Sequence, residues 1–331
     1  MNQLLLHLCL LVTLHSNCQS QSPSVGDTTY IAYHQQIARA QLAIANKQYK
    51  EALTGYEHVF NQYRFVFRRD YQAATQLALQ VGQPDKAFDY LKKGILSGWT
   101  WKSIQKNKFL EPLKSYSQWK SLKKEYTLLE QEHQKNLNLE VRKVVKKMFS
   151  KDQRKALGAL FRFSANGQNR YAQNRFAPHS ERQLADLKQI ISRHGYPGEK
   201  LIGSDTWASV ILSHHNSISE TYAAQDTLYP SIRPRLWNAV KSGQLSAYDF
   251  AKIDNWYVTI KSAHKDNHAG YLASTLSGQE RDRANQVRQA MGLSSIETTN
   301  ALLDIQQQTG MNFYLPLHVS GKIKVVEQVS R

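Results

Sequence analysis

Three residues in the second half of the chain could carry acid–base chemistry: Asp152, His215 and Asp254. A histidine titrates near neutral pH and a carboxylate can orient its ring, so a cluster of the three would suit a general acid or base. The same residue types also cap helices and join neighbouring helices by hydrogen bonds. Both interpretations stay open, and the sequence favours the structural one because nothing else in it names a reaction.

A histidine pair lies further along the chain. His264 and His268 are four residues apart, a spacing that could bring two side chains onto one face of a helix and suit a metal ion. Lys265 stands where the zinc-protease motif has glutamate, and no third ligand is evident. The chain also has no glycine-rich phosphate loop and no Gly-x-Ser-x-Gly turn. We therefore predict no metal and no cofactor, and we favour a non-catalytic role.

The opening of the chain has the features of a secretory signal. Residues 4–14 form an apolar run that is shorter than the roughly 20 residues of a membrane-spanning helix. The segment ending at Cys18 resembles a bacterial lipoprotein cleavage site, which implies that Cys18 becomes the lipidated first residue. We expect a signal peptide over 1–18 and a flexible tether over 19–27. The alternative is a simple secretory signal cut nearby, with Cys18 incidental.

The charge of the chain indicates an anionic partner. It has 43 lysine and arginine residues against 26 aspartate and glutamate residues, a formal net charge of +17. Such an excess attracts nucleic acid, lipid headgroups or an acidic polymer, or it is only a solvated surface. Export to the cell envelope argues against intracellular nucleic acid. We therefore expect a membrane contact through the lipid anchor and the basic surface, and no nucleic acid.

Two stretches of the first half echo each other at a spacing of 35 residues. The segment from Asn46 to Phe60 aligns with the segment from Val81 to Ile95. A repeat of about this length predicts stacked helical hairpins, each too small to bury its own apolar face. Small residues mark the close helix crossings, larger ones fill the next turn, and a glycine ends a helix. The packing residues expected from this pattern are Ala52, Tyr56, Gly82, Ala87 and Leu91.

This pattern resembles the tetratricopeptide repeat family, which implies a protein-binding helical-repeat domain over 28–135. An aromatic-rich segment follows the second repeat and contains Trp99 and Trp101. Such a segment caps the exposed apolar end of a helical stack. The alternative is that the two tryptophans line a ligand groove.

Helical periodicity continues over 140–311 and predicts a second all-α domain. The order of its motifs resembles a bacterial family known only as domain of unknown function 6624. The residues that carry this resemblance are Asp152-Gln153, Gly195-Tyr196-Pro197, His215, Asp254 and Val287-Arg288 before Gly292-Leu293. His214 and Asn255 stand where that family commonly has glutamine and arginine.

The tail, residues 312–331, is rich in β-branched and aromatic residues and predicts a short C-terminal β-hairpin. The expected fold class is therefore mainly α, with a helical-hairpin repeat domain followed by a second all-α domain. We expect a lipid-anchored envelope protein facing the periplasm, which binds a segment of another envelope protein through its repeats. The alternative is a hydrolase-type envelope enzyme that uses the second domain.

Overall fold

The computed structural model describes residues 29–161, 164–316 and 321–326. The expected signal peptide, the lipidation site Cys18 and the tether lie outside these residues. The described part is mainly α-helical, which confirms the predicted fold class. Its helices are α1 Tyr30–Ala45, α2 Tyr49–Gln62, α3 Arg68–Gln80, α4 Pro84–Leu96, α5 Trp101–Lys106, α6 Ser117–Lys135, α7 Leu139–Leu160, α8 Ala165–Tyr171, α9 Ala177–His194, α10 Glu199–Ile202, α11 Trp207–Asn216, α12 Glu220–Gln225, α13 Leu228–Lys241, α14 Ala247–Lys261, α15 Gly278–Ala290 and α16 Ile296–Thr309.

Three shorter features complete the secondary structure. A 3₁₀ helix, Lys108–Ser115, follows α5, and a π-helical turn, Ala172–Phe176, joins α8 to α9. Two strands, β1 Thr275–Ser277 and β2 Lys324–Val326, pair in parallel. No helix in the part of the chain that the structure describes is both long and apolar enough to cross a membrane.

The first four helices form two helical hairpins that repeat every 35 residues. Helix α4 begins 35 residues after α2, and α3 ends 35 residues after α1. Gly82 has a φ of 73° in the second turn, and Lys47 has a φ of 61° at the equivalent place in the first turn. Glycine adopts this left-handed conformation freely, whereas another residue loses roughly 1–2 kcal/mol in it. The two turns therefore have one backbone shape despite their different residues.

The expected packing residues lie where the repeat pattern requires them. Ala52, Tyr56, Ala87 and Leu91 are all buried in one apolar core, which the structure builds from residues 33–122. A second apolar core is built from residues 141–293. Leu302, Ile305, Met311 and Phe313 belong to the first core although they follow the second one in the chain. The last helix and the segment after it therefore return to the hairpins.

The hairpins bind the second half of the chain, including this returning segment, with glutamines at equivalent repeat positions. We call the side of α1 and α3 that faces the second half of the chain the inner face. Gln41 on α1 and Gln76 on α3 are 35 residues apart, and both are buried on the inner face. The Gln41 Oε1 atom accepts hydrogen bonds from the Tyr248 hydroxyl (2.7 Å) and the Ser294 hydroxyl (2.6 Å). Gln76 makes two hydrogen bonds to the backbone of Asn312, of 2.7 and 2.8 Å.

A second pair of equivalent positions contacts the start of α14. His34 on α1 and Arg69 on α3 are also 35 residues apart. The backbone N–H of Ala247 donates to His34 Nε2 (3.2 Å), and Arg69 Nη2 donates to the Ser246 hydroxyl (2.8 Å). A neutral imidazole is needed to accept this bond, and burial lowers the pKa of His34 to about 3.

The C-terminal hairpin expected over 312–331 is wrong for the described residues. Strand β2 exists, but its partner is β1, with Leu276 opposite Val325 in a parallel register. Residues 311–316 form no strand, because Phe313 is buried in the first core and Gln76 already pairs with the backbone of Asn312. In the described part of the tail, Val325 and Val326 therefore pair with a distant segment of the chain.

We expect Gln76→Leu to lower the free energy of unfolding by about 1–3 kcal/mol. The substitution removes two hydrogen bonds, one to the backbone C=O and one from the backbone N–H of Asn312. Urea unfolding measures the effect. Gln80→Leu on the exposed side of the same helix is the matched control and should stay within about 0.5 kcal/mol. Equal effects of the two substitutions would contradict a specific role for Gln76.

Candidate functional site

The three predicted acid–base residues lie on three different helices of the second half. Asp152 is on α7, His215 on α11 and Asp254 on α14, and all three are buried. Helix α11 packs against both α7 and α14. Within the described residues, no hydrogen bond or ion pair joins any two of the three side chains. The structure thus places them in neighbouring helices without forming the expected cluster.

Asp152 pairs with the residue next to the expected histidine. Its Oδ2 atom lies 2.6 Å from Nδ1 of His214. The His214 side chain is 31% exposed, whereas the Asp152 side chain is fully buried. Adjacent residues on a helix point about 100° apart, so only one of the two histidines can face α7. Asp152 therefore forms an aspartate–histidine dyad with His214 and not with His215.

His215 instead contacts a serine and a different aspartate. The Ser180 hydroxyl lies 3.0 Å from His215 Nδ1, and Asp226 Oδ1 lies 3.4 Å from His215 Nε2. Burial would raise the pKa of Asp226, but the contact with His215 and two backbone N–H donors outweigh it and lower that pKa. Serine, histidine and aspartate are the residue types of a nucleophilic triad. Ser180 is 0% exposed, however, so a substrate has no access to its hydroxyl.

Asp254 is held by a dense set of donors. Arg233 donates two hydrogen bonds to its carboxylate, of 2.6 and 2.8 Å, and the Tyr229 hydroxyl donates a third of 3.0 Å. Burial opposes ionisation, but these bonds and His268 lower the pKa of Asp254 to about 2. A carboxylate with such a low pKa is a poor proton acceptor at neutral pH. Its partners indicate that Asp254 joins α13 to α14.

The two histidines that suggested a metal ion do not share a helix face. Helix α14 ends at Lys261, and His264 and His268 follow it in turns with φ values of 64° and 38°. His268 Nε2 lies 3.1 Å from Asp254, whereas His264 is exposed and 3.9 Å from Glu220. Among the residues that the structure describes, no group of three or more His, Cys, Asp or Glu side chains is placed to hold a metal ion.

A cavity of about 640 Å³ lies between the two halves of the described chain and is suited to a ligand. We call it the junction cavity. Residues of α3, α6 and α14 line it, together with the turn after α4, the start of α7 and the returning segment. Trp99 and Tyr126 contribute aromatic side chains to its lining, and Trp101 packs on Trp119 and Tyr126 behind them. The aromatic segment after the repeats therefore packs on α6 and also lines a cavity.

Paired charges hold the two halves together beside this cavity. Arg68 Nη2 lies 3.0 Å from Asp205, and Arg69 lies 4.0 Å from Asp249. The backbone N–H of Arg68 also donates to the carboxylate of Glu199, the first residue of α10. Lys252 lines the cavity as well, and it has no hydrogen-bond or ion-pair partner among the described residues. The cavity thus offers one free ammonium group beside neutralised pairs.

Burial gives Glu199 an unusual protonation behaviour. It raises the pKa of Glu199 to about 7, and the nearby Arg68 only partly offsets this effect. An unfolded chain would have a glutamate pKa near 4.3. The folded protein therefore binds the proton more tightly, and this contribution to stability is complete below the unfolded pKa and lost as the pH rises through about 7.

We expect the stability difference between wild type and Glu199→Gln to fall by about 3 kcal/mol as the pH rises from about 4.5 to 7.5. Glutamine cannot titrate, so the difference isolates the proton on Glu199. Urea unfolding at a series of pH values measures it. Gln80→Leu, at an exposed position, changes no titratable group; it is the control and should give a difference that does not change with pH. A flat or rising difference for Glu199→Gln would contradict the assignment.

Sequence reasoning missed the inner-face residues and the dyad histidine. Gln41 and Gln76 directly precede Leu42 and Leu77, which already repeat at the same spacing. Two glutamines at equivalent positions next to apolar residues were the detectable sign of buried amides. For His214 the sequence contained no sign, because the rotation of α11 decides which histidine meets Asp152.

The comparisons with known proteins add no relative. No protein-family model, no curated protein and no solved structure matches this chain.

Proposed function

We propose that this chain is an exported, lipid-anchored binding protein of the bacterial cell envelope. In this proposal the hairpins are of the tetratricopeptide type, Cys18 carries the lipid, and the junction cavity takes an extended segment of another envelope protein. The apolar run before Cys18 supports export, and the 35-residue repeat supports a binding scaffold.

One observation carries the binding role: the inner face already holds a non-helical segment of the chain, and residues of that segment line the cavity. Gln76 binds the backbone of Asn312, and the next residues, Tyr314 and Pro316, line the junction cavity. A side-chain amide that binds backbone groups accepts an extended chain without regard to its sequence. A partner segment in the cavity would lie beside the returning segment of this chain.

The lining of the cavity favours a segment with an aromatic or aliphatic side chain and a carboxylate. Tyr126 and Tyr314, which are partly exposed, supply ring surfaces, and Lys252 supplies a cation that has no ion pair among the described residues. The volume of about 640 Å³ is within the range of about 300–1,000 Å³ that ligand sites have. The buried state of Ser180 and the low pKa of Asp254 speak for binding rather than for catalysis in the second half.

We expect a photo-crosslinking residue at Gln134 to capture an envelope protein in native membranes. Gln134 is exposed and lines the junction cavity, whereas Gln131 is exposed on the same helix and does not. The matched probe at Gln131 should therefore capture little. Lys252→Glu should reduce the Gln134 product roughly tenfold if a carboxylate binds there. Equal capture at both positions, or capture that survives the charge reversal, would contradict the proposed site.

A hydrolase-type enzyme is the second candidate, and the Asp152–His214 dyad is the observation that favours it. An aspartate that orients a partly exposed histidine is a common arrangement for a general base. If this candidate holds, purified protein should hydrolyse one member of a panel of ester, phosphate and glycoside substrates. His214→Ala should then lower the rate about 10²–10⁴-fold, and His194→Ala, at an exposed position, should not. Turnover that is insensitive to His214→Ala would exclude the dyad.

A further inference from the structure

Helix α7 carries a row of exposed cations that ends in exposed apolar side chains. At about 100° per residue, the row lies within an arc of about 80° on one side of the helix. We call this row the α7 stripe. In chain order its members are Lys143, Lys147, Ser150, Arg154, Leu157 and Phe161, all of them exposed. Phe161 directly follows the last helical residue.

The cations of the stripe are not neutralised by the protein. No ion pair among the described residues involves Lys143, Lys147 or Arg154, nor Lys146 and Lys151 beside them. The groove between α7 and α9 has one acidic side chain, Asp186. Residues 139–194 contain 13 lysine and arginine residues against four aspartate and glutamate residues. This sixth of the chain therefore holds more than half of its net positive charge.

The apolar end of the stripe is unusually open. Leu157 is 52% exposed and Phe161 is 73% exposed. Isolated exposed apolar residues are ordinary, but here two of them lie next to Lys143, Lys147 and Arg154, so the surface has a cationic part and an apolar part. A partner must offer negative charge next to an apolar environment.

We propose that the α7 stripe is the surface on which this chain lies against an anionic lipid membrane. The lysines and Arg154 contact the headgroups, while Leu157 and Phe161 enter the boundary between headgroups and acyl chains. The inference rests on the proposed envelope location. The α7 stripe would add a defined protein surface to the lipid anchor. Two membrane contacts together give stable anchoring where one alone is weak.

A soluble polyanion fits this surface less well than a membrane does. A nucleic acid or an acidic polymer would pair with the cations, but it would leave Leu157 and Phe161 in water. An anionic membrane has both parts, since its headgroups lie directly above an apolar layer. The exposed side chains of Leu157 and Phe161 therefore favour a membrane over a soluble polyanion as the partner.

The test uses the full chain, whose only cysteines are Cys9 and Cys18. Both are replaced by serine, and Leu157→Cys is labelled with an environment-sensitive fluorophore. Vesicles of phosphatidylcholine with phosphatidylglycerol should shift the emission to the blue, and vesicles of phosphatidylcholine alone should not. The same label at Leu128→Cys, at a 68% exposed leucine of α6, is the matched control and should not respond to either.

Charge-reversal substitutions distinguish membrane binding through the α7 stripe from membrane binding through other parts of the protein. Lys147→Glu with Arg154→Glu should weaken the response to anionic vesicles at least roughly tenfold, and added salt should weaken it too. A response at both label positions, no response at Leu157, or a response that survives the reversal would overturn the proposal. Binding of an oligonucleotide at the stripe without any vesicle response would also overturn it. The fluorescence experiment needs no protein partner. A negative result would therefore not contradict the proposed ligand site in the junction cavity.

Discussion

Buried polar groups must find hydrogen-bond partners, and this requirement determines how the two halves meet. Gln41 and Gln76 are nearly inaccessible on the inner face of the hairpins, and a buried amide without partners loses about 1–3 kcal/mol. Their partners outside the hairpins are Tyr248, Ser294 and the backbone of Asn312, all from the second half. The two glutamines stand at equivalent positions of the repeat. The segments that provide these partners, however, are not related to each other by a repeat.

The need for partners also explains how charged side chains are arranged at the junction cavity. Charged groups at a partly buried junction are stable when they are paired, and the pairs Arg68–Asp205 and Arg69–Asp249 meet this condition. Lys252 is left without a partner at the cavity surface, where water or a ligand can satisfy it. In the proposed binding site, the side chains that pair the two halves are thus different from the one proposed to contact a ligand.

Local features were predictable from the sequence because local residues determine them. The bounds of α1, α2 and α13 follow from apolar periodicity, and the turn after α3 follows from Gly82. Contacts between distant segments were not predictable. The partner of β2 lies almost 50 residues earlier, and Asp254 is held by Arg233 from the preceding helix. No spacing in the sequence indicates either pairing, since both depend on how finished helices pack.

Leu302, Ile305, Met311 and Phe313 complete the first apolar core from the far end of the chain. These residues lie more than 200 positions after the end of α4. Contacts of such large sequence separation form slowly because a long loop must close before they can contribute. The hairpins therefore cannot finish their own core, and a truncation before the last helix would expose the apolar side chains that these residues cover.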